Sequence, residues 1–66
     1  MKLTINSKEF NFKKPRSIEK ILQDLKVLKT TQACAVNMKI VKRKDWSTFC
    51  PKDGDKLELL DFVGGG

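Results

Sequence analysis

The sequence has no histidine and only two cysteines in 66 residues. A zinc site would have to rest on two thiolates and carboxylates, and Cys34 and Cys50 form no C-x-x-C pair. No metal is therefore expected. With no signal segment, a cytoplasmic location and reduced thiols are expected, although spacing alone leaves a disulfide open. Both cysteines are read as small apolar residues, buried or half-buried. No apolar run approaches the length needed to cross a membrane. Aromatics are scarce: four phenylalanines and one tryptophan, most of them suited to a core or sheet. Repeats, low-complexity stretches and interdomain linkers are also missing. What remains is one small domain, near the lower limit for a single hydrophobic core.

Positive charge is abundant. Fourteen basic residues against eight acidic give +6. The densest groups are Lys13, Lys14 and Arg16, then Lys39, Lys42, Arg43 and Lys44. Both fall where loops or element ends are expected. Without stacking platforms or a docking helix among them, a solvated basic surface fits better than a nucleic-acid interface.

Hydrophobic periodicity orders the chain. Residues 2–6, KLTIN, alternate, with Leu3 and Ile5 on one side. Residues 9–13, EFNFK, repeat the pattern with Phe10 and Phe12 inward, and Asn6-Ser7-Lys8 link the two as a hairpin. The period then changes. Ile18, Ile21, Leu22, Leu25 and Leu28 mark one face of an amphipathic helix. Pro15 precedes it, Ser17 is the natural N-cap and Glu19 suits the first turn, so a helix is expected from about residue 17 to about residue 28. Residues 33–38, ACAVNM, return to period two, with Cys34, Val36 and Met38 on one face and Ala33 and Ala35 on the other. A short extended piece IVK follows. Trp46 and Phe49 are expected to form a lid over one end of the core. PKDGD is turn chemistry, and KLELL begins a last strand reaching Val63.

The order strand, strand, helix, strand, short strand, strand predicts an α+β roll. Its mixed sheet packs on one main helix, and the first and last strands are parallel at the centre. That is the order of a β-grasp, or ubiquitin-like, domain. The domain is placed at residues 1–63 and a flexible glycine tail at 64–66. Leu3, Ile5, Phe10, Phe12, Ile21, Leu25, Leu57 and Leu59 are expected to meet in one cluster. Gly64, Gly65 and Gly66 have no side chain to pack. They are either a frayed end or expression scar, or an arm whose terminal carboxylate is the working part.

Several elements together resemble the ThiS family of sulfur carriers in thiamine biosynthesis. They are Val36-Asn37, Ile40-Val41, Arg43, Trp46, Gly54-Asp55 and the terminal Gly65-Gly66. The resemblance spans essentially the whole chain. It departs in two ways: Lys42 stands where many relatives have proline, and the chain is more basic than many carriers. The resemblance implies that a ThiF-like adenylyltransferase uses ATP to adenylate the Gly66 carboxylate. A sulfur donor system then converts the acyl-adenylate to a thiocarboxylate, and thiazole synthase, a ThiG-like partner, takes the sulfur. The carrier would be a co-substrate without bound cofactor or catalytic residue, and a monomer when free. Gly64 and Gly65 would thread the tail into a narrow site, since three extended residues reach about 10 Å. On the last strand Leu57 and Leu59 share one face, and Leu60 and Phe62 the other. If the first pair lies under the helix, Leu60 and Phe62 form a docking patch beside the tail, unless a bulge returns Phe62 to the core. The rivals are a MoaD-like carrier for molybdopterin, a carrier for cysteine or methionine synthesis, a ubiquitin-like protein modifier and, in another class, a small basic RNA-binding module.

Overall fold

A computed structural model describes residues 1–60. Strands β1 (Lys2–Ile5) and β2 (Lys8–Asn11) pair antiparallel. The two residues between them, Asn6 (φ 50°) and Ser7 (φ 72°), make the left-handed turn that matches the twist of a tight hairpin. The ladder starts at Lys8 and stops at Asn11, so Phe12 lies just past β2. It stays tied to the residue before β1 all the same, because its N–H donates to the Met1 carbonyl at 2.7 Å. Phe10 and Phe12 are half-buried and pack against the core edge.

Helix α1 (Ile18–Asp24) begins as expected. The Ser17 hydroxyl accepts from Lys20 N–H at 3.2 Å. Two further first-turn donors are taken by carbonyls from the Trp46 segment: Ile18 N–H donates to Phe49 at 2.9 Å and Glu19 N–H to Trp46 at 3.0 Å. The helix is a turn shorter than its apolar period suggested. Lys26 adopts φ 61°, its N–H returns to Gln23 O, and Val27 N–H returns to Leu22 O. This paired closure normally uses glycine, and here a lysine sits in the left-handed position. Ile18, Ile21 and Leu22 are fully buried, whereas Leu25 and Leu28 are half-buried.

Strands β3 (Ala33–Val36) and β4 (Lys39–Val41) form a second hairpin. The expected strand over 33–38 is cut short because Asn37 (φ 51°) and Met38 (φ 71°) form the turn. Met38 therefore does not share the face of Cys34 and Val36; it is 93 % exposed. A 3₁₀ turn, Arg43–Asp45, brings Trp46 into the core, where its indole N–H donates to the Val41 carbonyl at 2.9 Å. Trp46 is the expected lid, while Phe49 stays on the surface. Strand β5 (Lys56–Leu60) lies parallel to β1 and antiparallel to β3, giving the order β2-β1-β5-β3-β4.

The inner face of this mixed sheet meets α1. Leu3, Ile5, Cys34, Val36 and Leu57 join the helix residues there, with Phe10, Phe12, Leu25 and Leu59 half-buried at the margin. The expected cluster is thus correct in membership, but four of its eight residues sit at the rim. Both thiols are free. Cys34 is buried, but Cys50 is exposed, contrary to expectation, because it lies in the loop before β5 with no element packed over it.

Candidate functional site

The C-terminal end of β5 leads on to residues 61–66. Leu60 is the last described residue, and its carbonyl accepts from Gln32 N–H at 2.7 Å. One residue earlier, Leu59 N–H donates to the Asn6 side-chain oxygen at 2.8 Å. The neighbouring Thr31 is 2 % exposed. Its hydroxyl donates to Val27 O at 2.7 Å, and its carbonyl accepts from Arg43 Nη2 at 2.8 Å. The Arg43 guanidinium also stacks over Trp46, 4.8 Å from the ring centroid. This end of β5 is therefore held through Gln32, Thr31 and Arg43. Gly64, Gly65, Gly66 and Phe62 lie outside the described residues. Leu60 has the exposure expected of it, at 49 %.

At the other end of β5 the elements carrying the family resemblance serve the scaffold. Asn37 donates to Asp55 Oδ1 at 3.0 Å, accepts from Lys56 N–H at 2.9 Å, and donates its own N–H to Lys56 O at 2.7 Å. Asp55 also accepts from Lys52 N–H at 2.8 Å. Gly54, at φ 90°, makes the bend that lets its N–H reach Lys2 O at 2.7 Å. The Asn and Gly-Asp elements thus latch the β3–β4 turn to the start of β5 and set its register beside β1.

The outer sheet face holds residues whose significance the sequence pattern did not reveal. Ala33 pairs with Leu60, and Ala35 lies between Glu58 and Ile40. Ile40 is 67 % exposed. Its parity, opposite to buried Val41, was the available signal. Among the described residues no three His, Cys, Asp or Glu side chains gather as metal ligands. No described helix is long and apolar enough to cross a membrane. Burial pushes the Cys34 thiol up to about 11, which leaves it protonated and unreactive at neutral pH.

The sequence matches the ThiS family over residues 1–66. The chain belongs to the ThiS family. It is 26 % identical to the sulfur carrier protein ThiS of Escherichia coli, end to end in both chains. It is similar in structure to the thiamine biosynthesis protein ThiS of Geobacter metallireducens, with a TM-score of 0.82, 30 % identity and full coverage of both. It is also 39 % identical, over its whole length, to a thiazole synthase of Paramagnetospirillum magneticum. There it spans only 20 % of the relative's length. The β-grasp architecture inferred from element order is thus that of ThiS.

Proposed function

We propose that this ThiS-family chain carries sulfur on Gly66 for the making of a thiazole ring. In the first step the Gly66 carboxylate attacks the α-phosphate of ATP, giving an acyl-adenylate and releasing pyrophosphate. A sulfide-level nucleophile from a donor system then attacks the acyl carbon and AMP leaves, giving the thiocarboxylate directly; a persulfide donor would instead give an acyl disulfide, which a second thiol cleaves to the thiocarboxylate and a disulfide. Adenylation is needed because a bare carboxylate is anionic and lacks a good leaving group. A ThiF-like adenylyltransferase would supply this activation, and the chain would act as co-substrate.

The observation that supports this reading best is the anchoring of β5. A central strand, fixed at its last carbonyl, hands the chain directly to residues 61–66 with their three glycines. Held there, the terminal carboxylate can be offered to an enzyme at a defined distance from a rigid body. The end-to-end match to a relative named a sulfur carrier supports the cargo. The match to part of a thiazole synthase supports the acceptor, since joining carrier and acceptor in one chain raises their effective concentration. Exposed Leu60, with Phe62 beyond it, would dock against the enzyme that takes the tail.

The test is incubation with a ThiF-like adenylyltransferase, ATP and a sulfur donor, followed by intact-mass measurement. The expected result is ATP-dependent replacement of one oxygen by sulfur, mapped to the C-terminal peptide. A chain that keeps its mass, beside a control carrier that converts, would defeat the proposal.

A further inference from the structure

Arg43 is an exposed residue that ties two buried ones together. Its Nη2 donates to the Thr31 carbonyl at 2.8 Å, and its guanidinium lies over the Trp46 ring, 4.8 Å from the centroid. Each partner has a second anchor. The Thr31 hydroxyl and N–H both donate to Val27 O, at 2.7 and 3.0 Å. Trp46 is 2 % exposed, and its indole N–H is held by Val41 O. Among the described residues no carboxylate forms an ion pair with Arg43. Arg43 therefore adds little to the core. What it adds is a link between the turn after β4 and the segment before β3.

That segment is the weak part of the scaffold around β5. Residues 25–32 form neither helix nor strand, and Thr31 hangs from a carbonyl of the same stretch, that of Val27. Irregular segments of this kind open locally more readily than the sheet beside them. Yet the next residue, Gln32, supplies the N–H that reaches the Leu60 carbonyl at 2.7 Å. The end of a central strand is thus anchored on a loop, and Arg43 fastens that loop to a tryptophan in the core. A guanidinium suits the task, because one planar group donates in its plane while its face rests on the ring. A lysine ammonium can make the bond but has no flat face to stack.

We propose that Arg43 is a positioning residue for sulfur loading. By fixing Thr31 and Gln32 it fixes the direction in which β5 leads on to residues 61–66, and so where the Gly66 carboxylate is offered. The inference rests on the proposed sulfur-carrier function. A body that docks normally but aims its last strand loosely delivers the carboxylate productively in fewer of the bound complexes. The conversion rate at saturation then falls while affinity for the enzyme does not.

The test uses the full chain with a purified ThiF-like adenylyltransferase, ATP and a sulfur donor. Arg43→Ala, Arg43→Lys and Lys44→Ala are compared with the parent in three ways: conversion rate against carrier concentration, affinity by calorimetry, and amide hydrogen exchange in the free chain. Arg43→Ala should bind as the parent does and lose about tenfold or more in saturating rate. Its Gln32 amide should exchange about tenfold faster, while the amides of β1 keep the parent's rates. Arg43→Lys should recover part of both losses, because the bond returns without the stack. Lys44→Ala removes the same charge from the same turn and should match the parent throughout. If Arg43 only stabilises the fold, exchange speeds up across the whole sheet and the folded chain converts at the parent's saturating rate. If Arg43 only contacts the enzyme, affinity falls and Gln32 exchange does not move. Either result overturns the proposal. A parent that gains no sulfur, beside a control carrier that converts, defeats the carrier function and the loading role together. A parent that converts, with Arg43→Ala equally fast, defeats the loading role alone.

Discussion

The two ends of β5 are built differently. At its start, side chains do the holding: Asn37, Asp55 and the Gly54 bend join three segments through a compact set of hydrogen bonds. At its finish, among the described residues, the Leu60 carbonyl accepts a backbone bond from Gln32, supported from behind by Thr31 and Arg43. The first end fixes register, and the second leads on to residues 61–66. The elements carrying the family resemblance are thus divided. Asn37 and Gly54-Asp55 set where β5 begins, Arg43 and Trp46 brace where it ends, and the glycines lie beyond the described residues. A motif that looks uniform in sequence does two different physical jobs among the described residues.

The largest expected effect removes the floor shared by both ends. Leu22 is fully buried under the sheet, and Leu22→Ala should cost about 2–5 kcal/mol, most of the stability of so small a domain. Leu25→Ala, at the half-buried helix cap, should cost clearly less. Equal losses in denaturant titration would mean that the helix packs differently from the arrangement described.

The next effect separates chemistry from folding. Deleting Gly66 moves the terminal carboxylate back by about 3.5 Å along an extended chain. A displacement of that size should slow thiocarboxylate formation about a hundredfold or more, with no change in melting temperature. Adding a residue after Gly66 should be at least as damaging. Shortened and extended chains converted at the parent rate would remove the tail from the mechanism.

A smaller effect tests the latch. Asn37→Ala loses both side-chain bonds and places alanine at φ 51°, for about 1–3 kcal/mol. Asn37→Gly keeps the turn but not the bonds, so it should recover part of that loss. If the two variants are equally stable, the backbone strain is negligible and the bonds alone hold the start of β5.

Much of this division was legible in the sequence. Period two in KLTIN and ACAV, and the helical spacing from Ile18 to Leu25, gave the elements and their faces because burial on one side dictates them. The turns were harder. Lys26 and Met38 occupy left-handed positions where glycine would have announced a stop. With no such signal, the apolar period ran on to Leu28 and to Met38. The outward side of β4 was harder to read: parity separates Ile40 from Val41, and the pairing of Ala35 with Ile40 and of buried Cys34 with Val41 shows which of the two faces water. The Asn37 latch joins residues 18 and 19 positions apart, a relation that local pattern does not carry.

The smallest effect contrasts the two thiols, one in the central layer and one in the loop before β5. Cys34 is fully buried and Cys50 exposed, so a thiol reagent should label Cys50 quickly and Cys34 only through unfolding. The same burial makes stability depend on alkaline pH. Folding raises the Cys34 thiol from 9.0 to about 11, because an anion is disfavoured where water is excluded. Below pH 9 both folded and unfolded chains keep the proton, and stability does not depend on it. Between pH 9 and about 11 the unfolded thiol ionises while the folded one does not, so each rise in pH favours unfolding. The informative quantity is a difference between two chains. Denaturant titrations of the parent and Cys34→Ala across this window should show the parent losing stability more steeply. Parallel curves would mean that Cys34 ionises as easily in the fold as outside it, and that the centre of the sheet is wetter than its packing indicates.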